Sequence, residues 1–235
     1  MLLWSNIKTG FGRYIMQNPE LQGTNIIDCI PQTGLCPNKC LECFYNDEGF
    51  YRTKDQPLIP SISESENKIV RFNSGHDSNI EKEKVIEISR NYKHFFFNTA
   101  IQSFDFPGPV VFTCDPHEKF QLVSNVENLM FVRIRLTTWN VKEAKEVVDY
   151  YNILKVPVVL TFMRFKEFAN VQEPEKYTRK THILNSYYCI TPENYYDTML
   201  EFVGTGARSC GTIASSLCKD CGNCENLYWK FLATH

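Results

Sequence analysis

An α/β fold built on a parallel sheet is predicted by three features of the sequence. Six short runs rich in β-branched and aromatic residues recur along the chain. Helix-start signals lie between several of them. The 235 residues, with 43% hydrophobic and 22% charged, suit one packed domain, or one domain with an appendage, and exclude disorder, collagen-like repeats and coiled coil as the main architecture.

The expected strands are Asn25–Ile30, Lys68–Asn73, His94–Thr99, Val110–Cys114, Met130–Thr137 and Val156–Met163. Ser78-Asn79-Ile80-Glu81 has capping-box spacing and predicts a helix towards Asn91. Asn140 is a cap for a helix through Leu154, with Glu143 at its third position. Thr191-Pro192-Glu193 opens a helix to about Phe202, stopped at Gly204. Alternating strands and helices imply right-handed crossovers. Six strands are too few for a closed eight-stranded barrel, so a partial barrel or an open sheet is expected. The connection from Thr99 to Val110 barely has room for a crossover. Residues 44–67, with Ser61-Ile62-Ser63-Glu64-Ser65-Glu66, read as a loop or lid.

Charge and cysteine usage narrow the function. A formal net charge of −2 excludes a broad phosphate-binding surface, though not a local basic patch. The start, Met1-Leu2-Leu3-Trp4-Ser5-Asn6, lacks a basic n-region, so no signal peptide is expected. No apolar run approaches a membrane span. Seven of the ten cysteines fall in two tight groups, 36–43 and 210–224. The expectation is a cytoplasmic protein without a membrane partner, whose clustered thiols hold metal.

The first group, Cys36-Pro37-Asn38-Lys39-Cys40-Leu41-Glu42-Cys43, follows the first strand with C-x3-C-x2-C spacing. Three thiolates on one loop can hold three irons of a cubic cluster and leave the fourth open, as catalytic metal sites keep an open position. In this motif and in its strand order, over about residues 24–165, the chain resembles the radical S-adenosylmethionine (radical SAM) superfamily. The resemblance implies a partial (βα)6 TIM-like barrel over residues 25–165, an N-terminal extension of 1–24 and a small cysteine-rich C-terminal extension of 166–235. It implies that Cys36, Cys40 and Cys43 hold a catalytic [4Fe-4S] cluster. SAM would chelate the open iron and be cleaved by one electron to a 5′-deoxyadenosyl radical that abstracts a hydrogen from substrate. A reductant protein such as a flavodoxin or ferredoxin would supply the electron. Two positions depart from the family pattern: Glu42 stands where an aromatic is usual, and Asn73-Ser74-Gly75 replaces a Gly-Gly-Glu run.

Strand ends are where parallel α/β folds collect function. Alternation turns Arg133, Arg135 and Thr137 inward from Phe131-Val132-Arg133-Ile134-Arg135-Leu136-Thr137. A guanidinium inside a barrel needs a partner; a bound carboxylate such as that of SAM fits, and so does an internal pair with Asp28, Asp115 or Glu42. Asn73, Ser74 and Gly75 end the second strand, where the resemblance places the SAM amino group. Asn98, Thr113 and Thr161 end the third, fourth and sixth strands, as further SAM contacts.

The second group joins Cys210 to Cys218, Cys221 and Cys224 in C-x2-C-x2-C rhythm, the spacing of ferredoxin-type loops. A second [4Fe-4S] cluster or a zinc ion would close such a four-thiolate site. Cys189 is a substitute fourth ligand, or a small buried residue. The tail resembles radical SAM enzymes carrying an auxiliary C-terminal cluster. The alternative is a zinc-stabilised nucleic-acid- or protein-binding module without catalysis. Its signal is the run of Lys166, Lys176, Arg179, Lys180 and His182 near Tyr177, Tyr187 and Tyr188. The sequence leaves the substrate open among peptide, nucleotide and nucleic acid.

Overall fold

The computed structural model describes residues 18–40, 43, 45, 55–115, 122–181, 186–211, 213–215 and 217–235. In chain order the elements are β1 (Ile26–Cys29), α1 (Ile62–Ser65), β2 (Ile69–Phe72), α2 (Lys82–Ser89), β3 (Phe95–Thr99), β4 (Val110–Cys114), β5 (Leu129–Leu136), α3 (Val141–Ile153), β6 (Val158–Phe162), β7 (Tyr177–Thr181), β8 (Ser186–Ile190), α4 (Pro192–Leu200), β9 (Arg208–Ser209), α5 (Cys218–Cys221) and α6 (Asn223–Thr234). Seven strands pair in parallel in the order β1-β2-β3-β4-β5-β6-β9, curled into a half-barrel. All six expected strands are present. The seventh, β9, lies beyond residue 165, so the sheet draws on the C-terminal part of the chain. β7 and β8 form a separate antiparallel hairpin.

Alternation, interrupted by a register shift between β4 and β5 at Val110 and Val111, gives the sheet two different faces. Val70, Phe72, Phe97, Val132, Ile134, Leu136, Val158 and Leu160 point outward, where they pack with Val85 of α2 and Ala144, Val147, Val148 and Tyr151 of α3. Ile26, Ile69, Phe96, Val111, Phe131 and Val159 point inward, against Leu227 and Tyr228 of α6. Each large side chain so buried contributes about 1.5–3 kcal/mol, so α6 is held as a plug in the concave face. Two residues further along each strand, the next inward positions are Asp28, Arg71, Asn98, Thr113, Arg133 and Thr161. An apolar floor thus gives way to a polar layer nearer the carboxyl ends.

Several local expectations are corrected. The Ser78–Glu81 capping box does not form: the helix begins at Lys82, and Glu81 sits at φ 52° with no side-chain cap. The buried Asp77 carboxylate organises this turn instead, accepting from the Asn79 and Ala100 amides and the Thr99 hydroxyl at 2.9, 2.7 and 2.8 Å. Three donors on one buried carboxylate outweigh a single serine cap. Asn140 stands at its cap position, but its side chain bridges the Thr137 amide and the Arg135 carbonyl. Thr191 caps α4 as expected, accepting from the Asn194 amide.

The segment read as a lid contains the one-turn helix α1, closed by a reciprocal Ser61–Glu64 capping box; residues 44 and 46–54 lie outside the described residues. No helix bridges β3 and β4. Phe106 from that connection stacks on Phe97 at 4.6 Å, and Asn128 Nδ2 donates to the carbonyls of Phe104 and Phe106. Aromatic side chains do there what a crossover helix does elsewhere. Among the described residues no helix is long and apolar enough to cross a membrane.

Candidate metal centre

The chain leaves β1 through Ile30, which exchanges both backbone hydrogen bonds with Leu58, and enters the first cysteine loop. Lys39 takes φ 44°, the left-handed conformation that bends the loop between Cys36 and Cys40. Cys36 is buried with Ile30, Tyr45 and Leu58, and Cys43 packs against the same cluster. Burial pushes the Cys36 thiol up to about 11. Burial also raises Cys40, against the pull of the Arg135 guanidinium, which hydrogen-bonds it; Asn38 Nδ2 donates to the Cys40 sulfur at 3.3 Å. Glu42 lies outside the described residues.

Gly75 explains how the loop is held. A Cβ at this position would clash with the Tyr45 ring, so only glycine lets that ring lie against the turn after β2. The Tyr45 hydroxyl donates to the Gly34 carbonyl at 3.3 Å, and its ring meets His76 edge-on at 5.5 Å. Gly75 thus permits a close approach, and the group that approaches is Tyr45, two residues after the third cysteine. Asn73 is tied into the same turn at φ 56°, donating to Gln32 Oε1 at 2.7 Å.

The second group is assembled from three elements. The Cys210 amide donates to the Leu160 carbonyl at 2.7 Å, which places Cys210 just past β9 at the sheet edge. Cys218 and Cys221 open and close α5. Gly222, at φ 61°, turns the chain into α6, where Cys224 is buried on the concave face. Asn223 Nδ2 donates to the Ser209 carbonyl at 2.7 Å and ties the two segments together. The Cys210 thiol donates to Cys221. That bond and the amides of Asn223 and Gly211 lower Cys221 to about 5, while Cys210 is raised. Burial pushes Cys218 up to about 11, opposed by the Arg71 charge.

These four cysteines line a cavity of about 240 Å³ together with Arg71, Ser74, Arg133 and Thr161. Among the described residues, the Ser74 and Thr161 hydroxyls are buried there without a hydrogen-bond partner. Arg71 is clamped by Asp28, Nε to Oδ1 at 2.6 Å and Nη2 to Oδ2 at 3.2 Å. Arg133 Nη1 donates to the Asn98 amide oxygen at 3.3 Å. Arg135, one inward position further along β5, pairs with Asp115 at 3.5 Å, so one of the internal ion pairs weighed from sequence is present. Among the described residues, no three His, Cys, Asp or Glu side chains are already drawn into the tight group that holds a single metal ion. The donor set still suits an anionic thiolate centre: four sulfurs, one of them, Cys221, lowered by a neighbouring thiol and backbone amides, beside two guanidiniums.

Ser74, Arg133 and Thr161 therefore meet on one cavity. Asn98 is spent within the protein, donating to the Phe72 carbonyl and accepting from Arg133. Thr113 lies beside Arg133 in register without lining the cavity. Cys189 is on β8, its sulfur against the Thr178 carbonyl, apart from the four. Cys29 and Cys114 are buried in the outward core, and burial raises both thiols. The residue that sequence reasoning passed over is Arg71. Its signal was the one that flagged Arg133, a cation at an inward position of an otherwise apolar strand. No protein-family model, curated protein or solved structure matches the chain.

Proposed function

We propose that the chain is a radical SAM enzyme with an auxiliary centre, built on a partial (βα)6 barrel whose cysteine-rich C-terminal segment closes the concave face. One observation carries this reading. A three-cysteine loop sits at the carboxyl end of β1, linked through Arg135 to the strand bearing Arg133, and Arg133 faces a cavity with two unpartnered hydroxyls and four further cysteines. In this reading Cys36, Cys40 and Cys43 hold a [4Fe-4S] cluster with one iron open to SAM, and Cys210, Cys218, Cys221 and Cys224 hold a second cluster. A cluster held by Cys36, Cys40 and Cys43 would, when bound and reduced by the reductant protein, provide the one electron for reductive cleavage of SAM.

The protein's own residues orient and shield. Ser74 and Thr161 offer hydroxyls to the polar groups of the ligand. Arg133 and Arg135 offer guanidiniums to its carboxylate. Asn98 fixes Arg133 in place, and Gly75 with Tyr45 fixes the cysteine loop over the strand ends. The α6 plug keeps water out of the floor of the site, as radical chemistry requires. A reductant protein of the flavodoxin or ferredoxin type and a cytoplasmic, reducing setting complete the proposal.

Protein made anaerobically, reduced with dithionite and given SAM is expected to form 5′-deoxyadenosine, and Cys40→Ala is expected to form none. Iron-loaded wild-type protein that leaves SAM intact would overturn the reading. The zinc-held binding module rests on a different observation. On the β7–β8 hairpin Lys180 stands opposite Tyr187, and the Arg164 guanidinium lies over the same ring at 5.3 Å, an aromatic surface among cations. If binding is the whole function, SAM leaves the melting temperature unchanged.

A further inference from the structure

Two guanidiniums face the four-cysteine group, and their surroundings differ in charge. Arg71 donates two hydrogen bonds to the fully buried Asp28 carboxylate, which offsets part of its positive charge, although that charge still acts on Cys218. Arg133 is held by a neutral amide oxygen, Asn98 Oδ1, with its guanidinium 5.7 Å from the centroid of the Phe131 ring. Among the described residues Arg133 has no carboxylate partner. Both arginines line the cavity that the four cysteines line, as do Lys219, Glu20 and Glu225; of the two guanidiniums, Arg133 is the one that no carboxylate offsets among the described residues.

We propose that, in the protein free of SAM, Arg133 raises the reduction potential of the centre held by Cys210, Cys218, Cys221 and Cys224, acting as a fixed charge beside it, with Asp28-paired Arg71 serving as structural support. This inference rests on the reading of those cysteines as an iron–sulfur centre. Gaining an electron makes a thiolate-ligated cluster more negative. A nearby cation stabilises the reduced form more than the oxidised one and raises the potential. A cavity wall of low dielectric screens this effect far less than water does. The Asp28 carboxylate offsets part of the corresponding effect at Arg71, and truncating Arg71 would strand the buried Asp28 charge. Arg133 is therefore the informative position.

The test uses the full chain, reconstituted anaerobically with iron and sulfide. A Cys40→Ala background removes the first centre from the signal. Redox titration followed by electron paramagnetic resonance reads the midpoint of the remaining one. Arg133→Gln is expected to disfavour reduction at least tenfold, about 59 mV for a one-electron couple, and Arg133→Lys to recover most of the shift. Thr161→Asp brings a carboxylate into the cavity while leaving the guanidinium in place, and is expected to move the midpoint in the same direction. It keeps the test open should Arg133→Gln fail to fold. An unchanged midpoint in iron-loaded Arg133→Gln or Thr161→Asp protein overturns the role of Arg133 alone. A Cys40→Ala protein that holds zinc, or no metal, overturns the reading of the four cysteines and the inference with it.

Discussion

The two cysteine groups reach the same sheet by different routes. The first is a single irregular loop that leaves one strand and is pinned from outside, by Tyr45 on Gly75 and by Arg135 on Cys40. The second is drawn from a sheet edge, a one-turn helix and the start of the plugging helix. In the first, burial holds Cys36 protonated up to about 11. In the second, a thiol and backbone amides already stabilise one thiolate, Cys221, down to about 5. That group's Cys210 and Cys218 thiols are nonetheless raised, Cys218 to about 11, so the second group sets one stabilised thiolate beside thiols held neutral. The first sits on a loop with three sulfurs, where, in the proposed reading, a ligand would share the metal. The open site and the closed one of that reading would thus be built by different means, loop attachment against core packing.

The largest effect that separates them is expected from single cysteine removals. Cys40→Ala should abolish 5′-deoxyadenosine formation and about half the iron. Cys221→Ala should remove the other half, about four irons, while the first centre keeps its absorbance near 400 nm; iron analysis and chromatography check both. Loss of all iron from either variant would show that the centres are not independent. Next, Leu227→Ala removes a side chain buried between α6 and the sheet floor. It should cost about 2–5 kcal/mol in denaturant unfolding and deplete the second centre more than the first. Gly75→Ala should cost about 1–3 kcal/mol by overpacking against Tyr45, with the opposite bias, depleting the first centre.

The smallest effect is a pH dependence confined to the first region. Burial holds His76 below its ordinary value of 6.5, and its Nδ1 accepts from the Asp77 amide, which requires the neutral ring. The unfolded chain takes up this proton first as pH falls. His76 therefore stabilises fully above about pH 6.5, and that contribution is lost as pH drops through the lower folded value. His76→Gln should flatten the fall in melting temperature between pH 7 and 5. An unchanged slope would remove His76 from the account.

The sheet was legible because its signal is local. Val132, Ile134 and Leu136 alternate with Arg133 and Arg135, and that pattern assigns both faces without any structure. β9 escaped because two residues, Arg208 and Ser209, carry no periodicity; their pairing with β6 is a tertiary fact. The capping box at Ser78 misled because local spacing cannot register that Asp77 is buried under Thr99 and Ala100, more than twenty residues away. The three-cysteine loop was readable from spacing alone. That the second group would share a cavity with Ser74 and Arg133 was not, since those residues meet across more than 70 positions of chain. Nor could sequence say which arginine would find a carboxylate: Arg71 did, through in-register pairing of β1 and β2, and Arg133 met Asn98.

Counting iron, sulfide and zinc on protein purified without oxygen tests the central claim, two iron–sulfur centres on one half-barrel, most directly. The account predicts about eight irons and eight sulfides per chain and no zinc. Stoichiometric zinc with little or no iron would contradict it.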